Sequence, residues 1–432
     1  MAVDPAGLAK QALSDTIKRS SDQLYTTQRR ELLSAEKASS WDSEARESAS
    51  ATELKAQQII FKIRENERRD HDLFGDLPSE AVPHDHTRDM GGRFLVNKDR
   101  IDRSKLFDIA LHMPKGSHLH IHFNAEIKPE VLFPFARKLT ETMYVRATQS
   151  LHDRTALEDG EIVFNVLPKD TPNADIYDPS YKPDFKNTTN NPWMRWKDFR
   201  ARFPAGIETQ ESPPGLDDAE RWAREKMVLT TTAVYNDRQT HNGVWACFNQ
   251  GTRAFKGLVN YESVYTWYIG ALIDNMIKDK VMYAELRPML LDPSIPSDDG
   301  TRQLNHKDQM QIIVEEVSKK RTELEAKGEL DKFPFGLKII YSTPRSIPRE
   351  NMVRELENCI RLKLQFPELV CGKLIVSHED KNTDLYRLRP RRCRRSTKQC
   401  RLLCRSSTCV HGHLPTAWHL DTIHVPCRRE SA

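Results

Sequence analysis

Three histidines at alternate positions, His118, His120 and His122, give this sequence its sharpest chemical signature. They sit in residues 113–124, MPKGSHLHIHFN, an otherwise apolar run. In an extended strand, residues two apart point to the same side, so the three imidazoles share one face. Two imidazoles in that relation can reach one metal ion, and neutral imidazole is a common zinc ligand. Leu119 and Ile121 are expected to pack behind them. The plainer reading is a strand with polar residues on one side. The same spacing recurs at His84 and His86, but after Pro83 in a polar loop, with no strand to align the rings.

The elements around the histidines can be read from pattern. Met113-Pro114-Lys115-Gly116 reads as a helix stop and a turn into the strand. A helix over about 101–112, apolar through Leu106, Phe107, Ile109 and Ala110, delivers the chain to it. A helix carrying Val131, Leu132, Phe135 and Leu139 follows. Residues 167–192, rich in Pro, Asn and Asp, read as an irregular surface insertion. The pattern turns helical from Asp217 through Trp222, Met227 and Val228, then again over 249–277 with a break near Gly257. Strand-like runs at 281–287 and 336–342 alternate with helices at about 308–326 and 349–365. A third run, 373–377, ends in His378-Glu379-Asp380. This alternation argues for βαβ units and a parallel sheet. With a histidine strand at the front, the expected fold is α/β: a (β/α)8 TIM barrel, with about the first four strands present.

At 432 residues, 38% hydrophobic and 30% charged, the chain suits one large domain plus an extension. The net charge of +4 is too small to argue for any class of partner. Three regions are expected: a charged helical extension over 1–98, a body over 99–384 with an insertion near 140–215, and an Arg/Cys-rich tail over 385–432. In the extension, Ser50-Ala51-Thr52-Glu53 has capping-box spacing, followed by Leu54, Ile59, Ile60 and Ile63 on a loose apolar face. Such a segment reads as a packing or dimerisation appendage. The first 21 residues hold no apolar core of signal-peptide length, and no stretch approaches a membrane span. The expectation is a cytoplasmic protein without a membrane partner, with extracellular as the alternative. No cysteine precedes Cys247, while Cys393, Cys400, Cys404, Cys409 and Cys427 crowd the tail, which argues against a disulfide framework. The cysteines of the body are expected to be reduced and buried.

MPKGSHLHIH resembles the first-strand motif of the metal-dependent adenosine deaminases, and its Lys-Gly form is nearest the adenosine deaminase-related growth factor subfamily, the larger and often secreted type. FNQGTRAFKGLVNYESVY, YAELR, KIIYS and LIVSHED continue the resemblance in order, the last three as second, third and fourth strands. The similarity runs from about Met113 to Asp384. It implies an amidohydrolase-type barrel and a zinc ion that activates water for attack on C6 of adenosine or 2′-deoxyadenosine, releasing ammonia and inosine or 2′-deoxyinosine. His120 and His122 take the family role of metal ligands, at the C-terminal end of their strand where barrel enzymes place their sites. His118 falls outside the motif and reads as a barrel-interior residue. Asn124 stands where many members have an aspartate near the sugar, and an amide can still hydrogen-bond a hydroxyl. Ser377 takes the place of a substrate-contacting glycine, so its side chain would crowd the purine. Glu285 and Arg287 are inward or end-of-strand candidates on the second strand, with a barrel-core ion pair as the alternative. In the subfamily the N-terminal helices are implicated in homodimers.

The family also uses a fifth-strand His-Ala-Gly-Glu motif for a histidine and the catalytic glutamate, a sixth-strand histidine and a paired aspartate from the eighth strand. No His-Ala-Gly-Glu occurs in this sequence. Ser297-Asp298-Asp299 looks like the last motif but follows the second strand, so it reads as a loop. No catalytic residue is therefore assigned, and the chain as written is expected to be inactive. Two alternatives are a non-catalytic relative that binds a ligand or partner, and a nucleic-acid binder acting through the basic tail. A zinc knuckle from Cys400, Cys404, Cys409, His411 and His413 lacks the paired Cys-x2-Cys form, and nucleic acid is not the expected partner. From 385 to 420 there is no Asp or Glu, while Arg387, Arg389, Arg391, Arg392, Arg394 and Arg395 crowd together. The expectation is a change of reading frame soon after the fourth strand. Coding DNA downstream of codon 380, read in all three frames, is expected to show His-Ala-Gly-Glu and a late Ser-x-Asp-Asp run. Their absence from every frame, with a transcript that confirms the tail, would overturn the frame change.

Overall fold

A computed structural model describes residues 22–75, 94–183 and 192–376, apart from 289, 345 and 346, with isolated positions before residue 22. The described helices up to Glu67 form one unit and the chain from Arg68 forms another. The first unit holds α1 (Asp22–Ala38), α2 (Ser43–Glu47) and α3 (Ala51–Glu67). The capping box is present: Glu53 accepts from the Ser50 amide at 2.7 Å, and the Ser50 hydroxyl accepts from the Glu53 amide at 3.3 Å. Leu54, Ile59 and Ile60 are exposed.

The second unit opens with α4 (Phe94–Arg103) and α5 (Lys105–His112). The single helix expected over 101–112 is two, split at Ser104, whose hydroxyl accepts from the Phe107 amide at 3.0 Å and caps α5. The chain then enters β1 (Gly116–His122) through Gly116, whose φ of +66° is left-handed backbone that favours glycine.

Next come α6 (Phe133–Lys138), β2 (Met143–Ala147), α7 (Arg154–Asp159), β3 (Ile162–Val166), β4 (Met194–Arg195), α8 (Trp196–Arg202) and α9 (Asp218–Glu225). Within the insertion expected near 140–215 lies an antiparallel sheet in the order β3-β2-β4, while the described residues 167–183 of the stretch expected to be irregular hold no helix or strand. The strands of this sheet are short and β2 is buried on both faces, so no two-residue alternation marks it in the sequence. Trp196 fills this core, with ring centroids 5.0 Å from Phe164 and 5.3 Å from Phe199. The helix expected from Asp217 starts there with a capping box, and the buried Glu220 carboxylate is paired by Arg137 and Arg200. Pairing is what makes a fully buried carboxylate tolerable.

Two helices, α10 (Thr231–Tyr235) and α11 (His241–Val259), lead to α12 (Glu262–Lys278). The break in the long helical stretch falls after Val259, not at Gly257. Gly257 stays helical, and a Cβ there would run into the Phe164 carbonyl of β3. Glycine serves close approach here, not a kink.

The remaining elements are β5 (Val281–Arg287), β6 (Ser294–Pro296), β7 (Gln303–Asn305), α13 (His306–Ala326), β8 (Leu337–Pro344), α14 (Arg349–Gln365) and β9 (Val370–Val376). Strands β1-β5-β8-β9 form one sheet in which every neighbouring pair is parallel. The expected α/β class is present, and the sheet is open among the described residues, as a partial barrel would be. Ala284, Leu286, Leu337, Ile339 and Tyr341 alternate along β5 and β8 and are buried. The Tyr341 hydroxyl donates to the buried Glu355 of α14 at 2.7 Å, fastening helix to sheet.

Two packing expectations need correction. Ile121 is buried at 2% exposure, but Leu119 is 55% exposed. Among the described residues β1 pairs only with β5, so a strand that should be covered on both sides has a bare edge. Of the body cysteines all are free, but only Cys359 is buried; Cys247 is half-buried and Cys371 exposed. No described helix is long and apolar enough to cross a membrane. His84, His86, Ser377, His378-Glu379-Asp380 and the tail with its cysteines lie outside the described residues.

Two glycines on neighbouring helices should respond oppositely to the same change. Gly257→Ala should lose about 1–3 kcal/mol in denaturant unfolding, because the methyl meets rigid backbone. Gly270→Ala, whose Cβ would lie 3.6 Å from the flexible end of Glu316, should gain about 0.5–1 kcal/mol from helix propensity.

Candidate metal centre

Pairing with β5 sets the histidine strand. Ile121 lies opposite Leu286 and His122 opposite Arg287. The Phe123 amide donates to the Arg287 carbonyl at 3.1 Å, extending the pairing past the strand end. Phe123 itself is buried, its ring 4.8 Å from Tyr265 and 4.7 Å from Tyr268 of α12. A buried aromatic between His122 and Asn124 fixes where the strand stops. At the other end the Lys115 ammonium donates to the carbonyls of Leu111, Met113 and Asp279, the last at 2.8 Å. These carbonyls belong to the C-terminal ends of α5 and α12, where a cation is favoured. The lysine of the MPKG turn therefore has a structural job.

Between those anchors, the Nε2 atoms of His120 and His122 share a hydrogen bond at 3.1 Å, one donating and the other accepting according to tautomer, with ring centroids 5.0 Å apart; a metal would take the place of that proton. Burial lowers the pKa of His120, and Arg287, His122 and His118 lower it further. For His122 burial acts first and Arg287 second. Both rings are thus held neutral at pH 7, the form that offers a lone pair to a metal. Two nitrogens about 2.0–2.1 Å from a tetrahedral zinc would lie about 3.3 Å apart, close to the separation seen. The pair fits two vertices of such a site. Among the described residues no group of three or more His, Cys, Asp or Glu converges on one point. His118 is exposed further back on the strand.

Arg287 does not form the ion pair with Glu285 that was the alternative reading. Its Nη1 donates to the Leu119 carbonyl at 2.8 Å and the Glu285 carbonyl at 3.3 Å. Arg287 is buried and its guanidinium crosses from β5 to the β1 backbone. The Glu285 carboxylate instead accepts from the Tyr283 hydroxyl at 3.2 Å. Although Cys371 as a residue is exposed, its Sγ is part-buried against the Ile339 carbonyl at 3.4 Å, and that local burial, then the nearby Glu285 charge, pushes the thiol up to about 11. Tyr283 is raised as well, by burial first and then by the charges of Cys371 and Glu285.

Asn124 is half-buried in the turn after β1. Ser297-Asp298-Asp299 is a loop, as expected: it joins β6 to β7, and Asp298 accepts from the Ser263 amide at 2.9 Å. Sequence reasoning missed Glu126, which accepts from the Asn275 side chain of α12 at 3.3 Å. Its position just past the histidine strand is the one sequence signal that pointed there.

A parallel β/α sheet with a neutral histidine pair at the carboxyl end of its first strand is the class of site that the fold defines. The chain has homologues named adenosine deaminase 2. Those of Sus scrofa and Homo sapiens are each 24% identical to it, over 296 and 294 residues, in both cases 68% of this chain and 49% of the relative. A protein named adenosine deaminase from Phlebotomus duboscqi is 24% identical over 308 residues, 71% of this chain and 50% of its own. The chain thus spans about half the length of the curated relatives it matches. No family model matches it. Similar solved structures include the Arabidopsis N6-mAMP deaminase, at TM-score 0.31 and 15% identity over 63% of this chain and 52% of that one. A Burkholderia ambifaria amidohydrolase with bound zinc gives 0.29 and 12% over 64% and 48%.

Glu126 supplies a pH test of this region. Burial raises its pKa, and the Asn275 bond offsets that only in part. A folded-state value above the unfolded one means that ionisation costs stability as pH rises through the folded value. Glu126→Gln keeps an acceptor for Asn275 and removes the buried charge. Its melting temperature should exceed that of the parent at neutral pH, with the gain vanishing below about pH 4.3, the unfolded Glu value. A gain that persists at that acid pH would show the cause is not ionisation.

Proposed function

We propose that the chain is an adenosine deaminase-like protein that binds zinc through His120 and His122 and does not itself turn over adenosine. The observation that carries the metal half is the neutral pair of Nε2 atoms at 3.1 Å, on one face at the end of β1. A zinc ion held by His120 and His122 would supply Lewis-acid activation of water, the chemistry that hydrolytic deamination of an aminopurine nucleoside draws on. The residues of this chain do the holding. Phe123 and Arg287 fix the strand on which the imidazoles stand, and Arg287 helps keep them unprotonated. Asn124, just beyond, is the candidate to hydrogen-bond a sugar hydroxyl, and Ser377 the candidate to limit the purine's approach.

The inactive half rests on sequence. Attack on C6 needs a group that moves a proton to the purine, and the family's glutamate motif has no counterpart here. Two histidines also leave a tetrahedral ion without its usual protein ligands, so affinity should be weak. A homodimer through the N-terminal helices belongs to this reading as well, by resemblance.

Equilibrium dialysis with zinc should give about one ion per chain in the full-length protein, with a marked loss in His120→Ala and in His122→Ala but unchanged circular dichroism. Incubation of the zinc-loaded chain with adenosine or 2′-deoxyadenosine should release no ammonia above background. Retained zinc in both variants would remove the metal centre, and ammonia release would refute the inactive reading.

A further inference from the structure

Away from the histidine strand, a cleft of about 510 Å³ lies between the first turn of α13 and one flank of α14. Lys307, Arg354 and Arg361 line it, against a single carboxylate, Glu355. That carboxylate already accepts from the buried Tyr341 hydroxyl at 2.7 Å, and it lies 3.9 Å from Arg354. Among the described residues, neither Lys307 nor Arg361 has a side-chain hydrogen-bond or ion-pair partner. Elsewhere this chain pairs its surface cations freely, as at Arg253–Glu161, Lys320–Asp274 and Arg302–Glu262. Three cations converging on one concave surface with so little opposing charge have an electrostatic cost that a bound anion would relieve.

We propose that this cleft binds a small organic phosphate. The side-chain cations carry the inference, because the helix end does not. The Asn305 side chain already accepts from the amides of Lys307 and Asp308, so the first turn of α13 is capped. His306 is committed too, its Nε2 donating to the Asp292 carbonyl at 2.7 Å. Guanidinium groups offer paired donors that match phosphate oxygens, and Lys307 adds a point charge. The remaining wall is mixed: Asn358 and Gln365 add uncharged polar groups, and Leu291, Pro293 and Leu362 form an apolar part that favours an organic group beside the phosphate over a bare ion. None of these residues belongs to the histidine centre, so the two readings stand or fall separately.

Isothermal titration of the full chain at low ionic strength, with phenyl phosphate and with inorganic phosphate, tests this. Phenyl phosphate should bind more tightly than inorganic phosphate, and binding should weaken as salt is added. The double variant Lys307→Gln, Arg361→Gln should keep its melting profile and lose at least about tenfold in affinity, as expected when two charge-assisted contacts go. His120→Ala should bind phenyl phosphate like the parent. No heat with either ligand, or equal affinity in the folded double variant, would overturn the proposal. Equal binding of the two phosphates would overturn the organic part of it.

Discussion

The parallel pairing of β1 with β5 is the constraint from which the rest of the site follows. Strand periodicity puts alternate residues on one face, but only pairing decides what that face looks upon. Here the register sets His122 opposite Arg287, and the Phe123 amide prolongs it by one more bond. A slip of one residue would turn the imidazoles away and expose Ile121. Phe123 opposes such a slip, because its ring is held between Tyr265 and Tyr268. At the opposite end Lys115 ties the turn to two helix ends, so β1 is fixed at both termini although among the described residues one edge is bare.

Arg287 has two opposed effects on the histidine pair. Its charge adds to the larger effect of burial in disfavouring imidazolium, which favours unprotonated rings competent as ligands. The same charge repels an incoming divalent ion. In water the second effect would be small, but the guanidinium is buried, where screening is weaker. Its bonds to the Leu119 and Glu285 carbonyls spread this charge over backbone dipoles and stitch β5 to β1. A metal at this place thus gains from geometry and loses some affinity to its neighbour, consistent with a centre that needs more than two ligands.

The antiparallel insertion sets the frame on which α11 rests, and α11 in turn packs on α12. Gln250 donates to the Ile162 carbonyl at 3.0 Å, and Gly257 lets α11 lie close against β3. Helix α12 then carries the aromatic pair that clamps Phe123 and the Asn275 amide that meets Glu126. A segment remote from the histidines in sequence therefore bears on their placement through contiguous packing.

Local chemistry was legible in the sequence wherever it depends on near neighbours. The alternation His118-Leu119-His120-Ile121-His122, the Ser50–Glu53 cap, the start at Asp217 and the β/α alternation from Val281 onward follow from periodicity and short-range hydrogen bonds. The short strands of the insertion were not legible, since pairing between distant residues creates them and β2, buried on both faces, shows no alternation. Only the tertiary structure decided that Leu119 is bare, that Arg287 bonds carbonyls and not Glu285, and that Gly257 sits inside a helix. The physical reason is common to all three. Residue type and spacing fix what a side chain can do, while the neighbours brought in by long-range packing fix what it does.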